Sequence, residues 1–419
     1  MATSLLRSHM LASRHCFSSR QHRRRTVVAV AADRQADPSL AEHAQNLLKG
    51  CVIGVAAASL AVGAPVVAPP PLAPQAEARL IDRDPIKNAS ALLRYALPID
   101  NKPIRQVQAD LDGISDALRI PGNRVFGSVN SSVRKAIGIL NKDEAAIVAA
   151  FAPDKKEQGT AALAGLRKTL VEFQDVLAKE DKNLIPPKQQ EALEYVNTIE
   201  NAMVKGFPFE VPKQYAELPQ LKGRATVEVQ LKFTSPREEN ATGGTMKIVV
   251  DGYNAPISAG DFVDLVARGF YDGMEIQRAD GFVVQTGKPK DGNGFVDPKT
   301  GELRTIPFEV MVQGDKAPVY EITLEELGRY NENPVLPFNA FGTMAMARSE
   351  FETNDASSQF FWLLKESELT PTGSNLLDGR YAVFGYVVEG AELLKEVQVG
   401  DKIVKAEVVD GLQYLQEPK

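Results

Sequence analysis

Between residues 84 and 205 apolar positions recur every three or four residues. The stretch KPIRQVQADLDGISDALRI puts Val107, Leu111, Ile114 and Leu118 on one face. LAGLRKTLVEFQDVL does the same with Leu163, Leu166, Leu170, Phe173 and Leu177. PPKQQEALEYVNTIENAMV adds Leu193, Val196, Ile199 and Met203 behind a start marked by Pro186 and Pro187. Such stripes predict helices that bury one side against other helices. Pro98, Pro121 and Pro153 divide the region, because proline ends or kinks a helix. The repeat around Leu170 is too short for a coiled coil between chains, so an intramolecular bundle is expected.

The rhythm changes after residue 205. GFPFEVPKQYAELPQLK, residues 206–222, holds three prolines and reads as a linker packed on the surface. Its aromatics Phe207, Phe209 and Tyr215 either join two domains or let the helical part cover a groove on the second. From Gly223 the period is two: Ala225, Val227, Val229, Leu231 and Phe233 alternate with polar residues. GGTMKIVVDGYNAPI, FVVQTG, GTMAMA, SQFFWLLK, YAVFGYVV and KAEVVDGLQYL read as further strands between glycine turns. ISAGDFVDLVARGFY reads as a helix burying Phe262, Leu265 and Val266, and AELLKEVQV as a second one. The expected architecture is α+β multidomain: an α-helical bundle over 79–205, a linker, and a β-barrel capped by two helices over 223–419.

The first 78 residues fit neither rhythm. Residues 1–34 hold seven arginines and one acid, Asp33, which is the composition of an organellar transit peptide. Lys49 then precedes an apolar run from Cys51 to Ala68 that closes on Ala76-Glu77-Ala78, a secretory-type cleavage site. Two signals in tandem imply two membranes crossed and the thylakoid lumen as destination. Cleavage after Ala78 removes all four histidines and both cysteines. What remains excludes disulfides, cysteine or Ser-His-Asp nucleophiles, and zinc sites with nitrogen or sulfur ligands. Eight basic and four acidic residues leave with it, taking the net charge from −6 to −10. That balance argues against nucleic acid as a partner; at most peripheral membrane contact is expected.

Three short motifs carry the candidate chemistry. Ile276-Gln277-Arg278, Gly281-Phe282 and Gln285-Thr286-Gly287 form the first. Met346-Ala347-Arg348-Ser349 and Ser358-Gln359-Phe360-Phe361 form the second, and Leu376-Leu377-Asp378-Gly379-Arg380-Tyr381-Ala382-Val383-Phe384-Gly385 the third. In this order and spacing they resemble the cyclophilins, the barrel-type peptidyl-prolyl isomerases. The family patterns are F-H-R-x-x-x-G-F-x-x-Q-G-G, M-A-N-A with S-Q-F-F, and W-L-D-G-x-H-x-V-F-G. The resemblance implies Arg278 and Gln285 as catalytic residues. It implies Phe282, Val283, Ala347, Phe361, Leu376, Leu377 and Tyr381 as the substrate-binding surface.

The residue types suit the reaction. Rotation about a peptide bond costs about 18–20 kcal/mol, because nitrogen shares its lone pair with the carbonyl. Proline makes the cis form accessible but leaves the exchange slow. A catalyst needs an apolar slot for the ring and a fixed donor near the imide nitrogen, which becomes pyramidal and basic in the twisted state. An always-charged guanidinium meets that need, and no metal, cofactor or nucleophile is called for. Gln285 is expected to hold Arg278 in place.

The sequence departs from the pattern at several positions, among them Tyr381, which stands for histidine. Gln277 stands for histidine, and one residue is missing between Arg278 and Gly281. Arg348 stands for asparagine, and Leu376 for the tryptophan that lines the pocket. The whole chain, with its two signals and helical domain, resembles the large thylakoid-lumen cyclophilins of plants. That likeness implies binding of proline-containing segments, notably lumenal loops of photosystem II core subunits, with weak or missing isomerase activity. It also implies a link to a thylakoid protein phosphatase. An active isomerase of lumenal protein folding is the alternative.

Overall fold

The structure, a computed structural model, describes residues 85–237, 240–365 and 375–418. The signals expected in residues 1–78 lie outside the described residues. The described residues all fall within one compact unit.

The helical part runs α1 (Ala89–Tyr95), α2 (Lys102–Asp112), α3 (Ile114–Ala117), α4 (Arg124–Lys142), α5 (Glu144–Ala150), α6 (Lys156–Leu177) and α7 (Ile185–Met203). Asparagines start the first two: Asn88 accepts from the Ala91 amide at 2.9 Å and Asn101 from the Ile104 amide at 3.0 Å. The stripes read from the sequence meet in one cluster. Val107, Leu111 and Ile114 lie against Leu166, Leu170, Phe173, Val196 and Ile199, all buried. Gly165 lets α6 and α7 touch, since a Cβ there would stand 2.3 Å from the Tyr195 ring.

α1 behaves differently from the other helices. Leu92, Leu93 and Ala96 join the hydrophobic core of the strand region instead of the bundle. The Arg224 guanidinium donates to the Leu93 carbonyl, and Asn254 donates to that of Ala96 at 2.9 Å. Arg105 ties this junction to the bundle, donating to the carbonyls of Arg94 at 2.7 Å and Leu97 at 2.8 Å and to Glu200 at 3.2 Å.

The strand region comprises β1 (Gln220–Leu221), β2 (Arg224–Lys232), β3 (Gly243–Asp251), β4 (Arg278–Ala279), β5 (Val283–Thr286), β6 (Glu309–Val310), β7 (Val319–Tyr320), β8 (Thr343–Met346), β9 (Phe360–Leu363), β10 (Val383–Glu389), β11 (Lys402–Asp410) and β12 (Leu415–Gln416). The main sheet is antiparallel and eight-stranded, in the order β11-β2-β3-β10-β8-β9-β5-β4. It curls until its ends meet: Glu275 bridges Lys402, and the Ile276 amide donates to the Asp401 carbonyl at 2.7 Å. Inside, α8 (Pro256–Ala267) turns Phe262 onto Phe360 and Phe384, with ring centroids 5.1 and 5.2 Å away.

Two sequence expectations are corrected. The second capping helix does not form; residues Ala391–Lys395 make a single 3-10 turn. It begins on Gly390, which has a left-handed φ of 74° and no side chain to cap the first amides, and so short a segment lacks the length to propagate an α-helix. The end of the linker is also part of the fold, because Gln220 and Leu221 pair with Gln416 and Leu415. Tyr215 is buried in the barrel core and donates to Glu321 at 2.6 Å, so the linker is anchored.

Candidate functional site

Sheet register brings the motifs together. Arg278 pairs with Gln285, Gln285 with Phe361, Phe361 with Ala345, and Ala345 with Val383. Directly paired residues on antiparallel strands point to the same side. Five strands therefore set an arginine, a glutamine, a phenylalanine and two small or branched apolar residues in one row on the outer face. Val283 and Leu363 form the next paired row on that face. Phe360 and Trp362 alternate to the interior.

The Phe361 ring sits at the centre. It stacks at 6.1 Å on Phe338 and meets Tyr381 edge-on at 5.5 Å. The turn bearing Tyr381 is held by Asp378, whose carboxylate accepts from the amides of Phe338 at 2.8 Å and Asn375 at 2.9 Å. Burial pushes that carboxyl up to about 6, and the two amides only partly offset it. Leu377 packs on the core, whereas Leu376, at the family's tryptophan position, is 65% exposed. Phe282 is also open to solvent, at 39%. Ala347 continues past the end of β8, its amide donating to the Gln359 carbonyl at 2.9 Å.

Arg348, at the family's asparagine position, is turned onto the third motif. Its guanidinium lies 4.9 Å from the centre of the Tyr381 ring and donates to the Arg380 carbonyl at 3.0 Å. The loop behind it is pinned where the Ser349 amide donates to Asp355 at 3.0 Å.

The expected clasp between Gln285 and Arg278 is absent. Gln285 donates instead to Gln359 at 3.2 Å. Arg278 donates from Nε to the Asp280 carboxylate at 2.6 Å and forms an ion pair with it through Nη2. The other Asp280 oxygen accepts from the amides of Phe282 and Val283, each at 2.9 Å. Burial alone would raise this carboxyl, but the two amides and the guanidinium outweigh it and hold it below the usual range. Asp280 stands two residues after Arg278, in the turn that joins β4 to β5. The Asp280-Gly281 pair, a common turn signal, marked this acid in the sequence.

A cavity of about 870 Å³ opens elsewhere, between α1 and the 311–339 segment. Among the motif residues only Asp378 lines it. The candidate site is the open outer face around Phe361, because the guanidinium, the aromatic rings and the exposed apolar edges are there.

Residues 238–411 match the family model for cyclophilin type peptidyl-prolyl cis-trans isomerase/CLD. Residues 88–204 match that for the PsbQ-like domain of peptidyl-prolyl cis-trans isomerase CYP38-like proteins. The chain belongs to the cyclophilin-type peptidyl-prolyl cis-trans isomerase family, in the subgroup that carries this helical domain. It is 50% identical over 381 residues to peptidyl-prolyl cis-trans isomerase CYP38, chloroplastic, of Arabidopsis thaliana, covering 88% of this chain and 86% of that one. It is 43% identical over 332 residues to a Synechocystis chain described as a thylakoid lumen peptidyl-prolyl cis-trans isomerase, covering 79% and 84%. Identity to peptidyl-prolyl cis-trans isomerase CYP37, chloroplastic, of Arabidopsis thaliana is 32% over 342 residues, covering 78% and 70%. The protein is a cyclophilin of the thylakoid lumen.

Proposed function

We propose that this cyclophilin binds proline-containing segments of lumenal proteins on the face around Phe361, and that it acts mainly as a holder of clients with weak isomerase activity. The observation that carries this reading is the double character of the site. Register sets Phe361 beside Gln285 and the turn leaves the Phe282 ring exposed, while the guanidinium of Arg278 is engaged by Asp280. A proline ring has a surface to rest on, and the donor that would stabilise the twisted imide is shared with a carboxylate.

The clients would be lumenal loops of photosystem II core subunits during assembly and maintenance, and a thylakoid protein phosphatase would be a further associate. These follow from the likeness to the large lumenal cyclophilins. The test is pull-down of synthetic lumenal-loop peptides by wild type and by Arg278→Ala. Equal capture supports a binding module; loss of capture in the variant counts against it.

The second reading is an active isomerase of lumenal protein folding. It is favoured by the presence of Arg278, Phe282 and Gln285 at the motif positions. Proline-limited refolding of a model protein decides between them. A rate well above the uncatalysed one that falls with Arg278→Ala establishes the isomerase; no acceleration removes it.

A further inference from the structure

The β4–β5 turn contains one group for which the three motifs have no role, the Asp280 carboxylate. It is held from both sides. Oδ1 takes the amides of Phe282 and Val283, and Oδ2 takes Nε of Arg278 with Nη2 in the ion pair. The Asp280 amide closes the turn on the Val283 carbonyl at 3.3 Å, and Gly281 supplies the left-handed φ of 78° that the turn needs. With Oδ1 fixed by backbone, the carboxylate cannot swing away when a peptide arrives. The guanidinium has to leave Oδ2 or act with a counter-charge bonded to it.

We infer that Asp280 is a positioning residue for Arg278, which competes with a bound prolyl peptide for the guanidinium and so sets how far this site isomerises what it holds. A guanidinium lowers the barrier by attracting a lone pair that exists only in the twisted imide. A carboxylate bonded to the same group cancels part of that field and orients the donors toward itself. The competition is limited, because the pair is open to water: the side chains of Arg278 and Asp280 are 53% and 39% exposed. Ion pairs this exposed are weak and screened by salt.

The inference rests on the reading that this face binds prolyl peptides, and the experiment separates the two. The probe is an Ala-Pro-containing tetrapeptide, with affinity from titration and cis-trans exchange from line-shape NMR, on the chain from residue 79 onward. Asp280→Asn keeps an oxygen for the Phe282 and Val283 amides and removes the charge. The expected result is a rise in exchange rate at saturating enzyme of about two- to fivefold, the range set by an exposed ion pair, with affinity changed less than about twofold. Added salt should raise the wild-type rate toward that of the variant and leave the variant unchanged. The pair Arg278→Ala with Asp280→Asn should show no rise, which places the effect on the guanidinium. Asp280→Ser, which also keeps an oxygen acceptor, replaces Asn if that variant fails to fold. A rate at or below wild type in a folded, peptide-binding variant overturns the inference. No binding by either protein overturns the peptide-binding reading, and this one with it.

Discussion

The helical bundle and the motif-bearing sheet face use apolar residues for opposite ends. In α6, Leu163, Leu166, Leu170, Phe173 and Leu177 are all buried, and Phe173 is fully so. On the sheet face Phe361 is covered by neighbouring rings, but Phe282 and Leu376 stay open to water beside an ion pair and a glutamine. Burial of apolar surface stabilises by roughly 25 cal/mol per Å². A region that buries its apolar stripe uses it for folding, and one that leaves rings exposed keeps them for a partner. The bundle therefore reads as scaffold and the outer face as the working surface.

The strongest way to break that division is by core truncation. Phe173→Ala should cost about 3–5 kcal/mol in denaturant unfolding, because it empties a fully packed site, while peptide capture at low denaturant stays near wild type. Loss of capture in a folded Phe173→Ala protein would mean that the two regions are coupled.

A smaller effect comes from buried carboxyls. Burial raises Glu200 in the bundle to about 7, though Arg105 and Arg94 oppose it. In the strand region burial raises Asp261 and Glu309, each to about 7. A raised folded pKa means stability fully present below the unfolded value and lost as pH climbs to the folded one. Stability should thus fall between about pH 4.5 and pH 7. Glu309→Gln should flatten the slope by on the order of 3 kcal/mol or less across that window, measured as urea midpoints at stepped pH. An unchanged slope would mean that Glu309 ionises freely.

At the working surface Arg278→Ala should lower any measured isomerisation about tenfold or more while leaving unfolding within about 0.5 kcal/mol of wild type, since the side chain is exposed. A large stability loss would move Arg278 from the working surface to the scaffold. The smallest effect is expected at the anchored linker: Tyr215→Phe removes the bond to Glu321 and should cost about 1 kcal/mol in thermal unfolding.

Much of this arrangement was legible in the chain. Local periodicity named the bundle stripes and the strands, because side-chain direction repeats every 3.6 residues in a helix and every two in a strand. Three motifs in order named the residues of the outer face. AELLKEVQV carried a helical pattern without a cap, and the missing cap decided against the helix. α1 lies within the region expected to form one bundle, yet its side chains found the barrel core, a choice that depends on which surface folds up beside it.

The sequence alone therefore determined which residues are apolar at which period, where turns can form, and that Arg278, Phe282 and Phe361 stand at motif positions. Only the tertiary structure decided that Gln285, Phe361 and Ala345 share one row and that the guanidinium pairs with Asp280. Periodicity is a property of neighbours along the chain, whereas register and charge pairing depend on distances that exist only after strands from far apart have met.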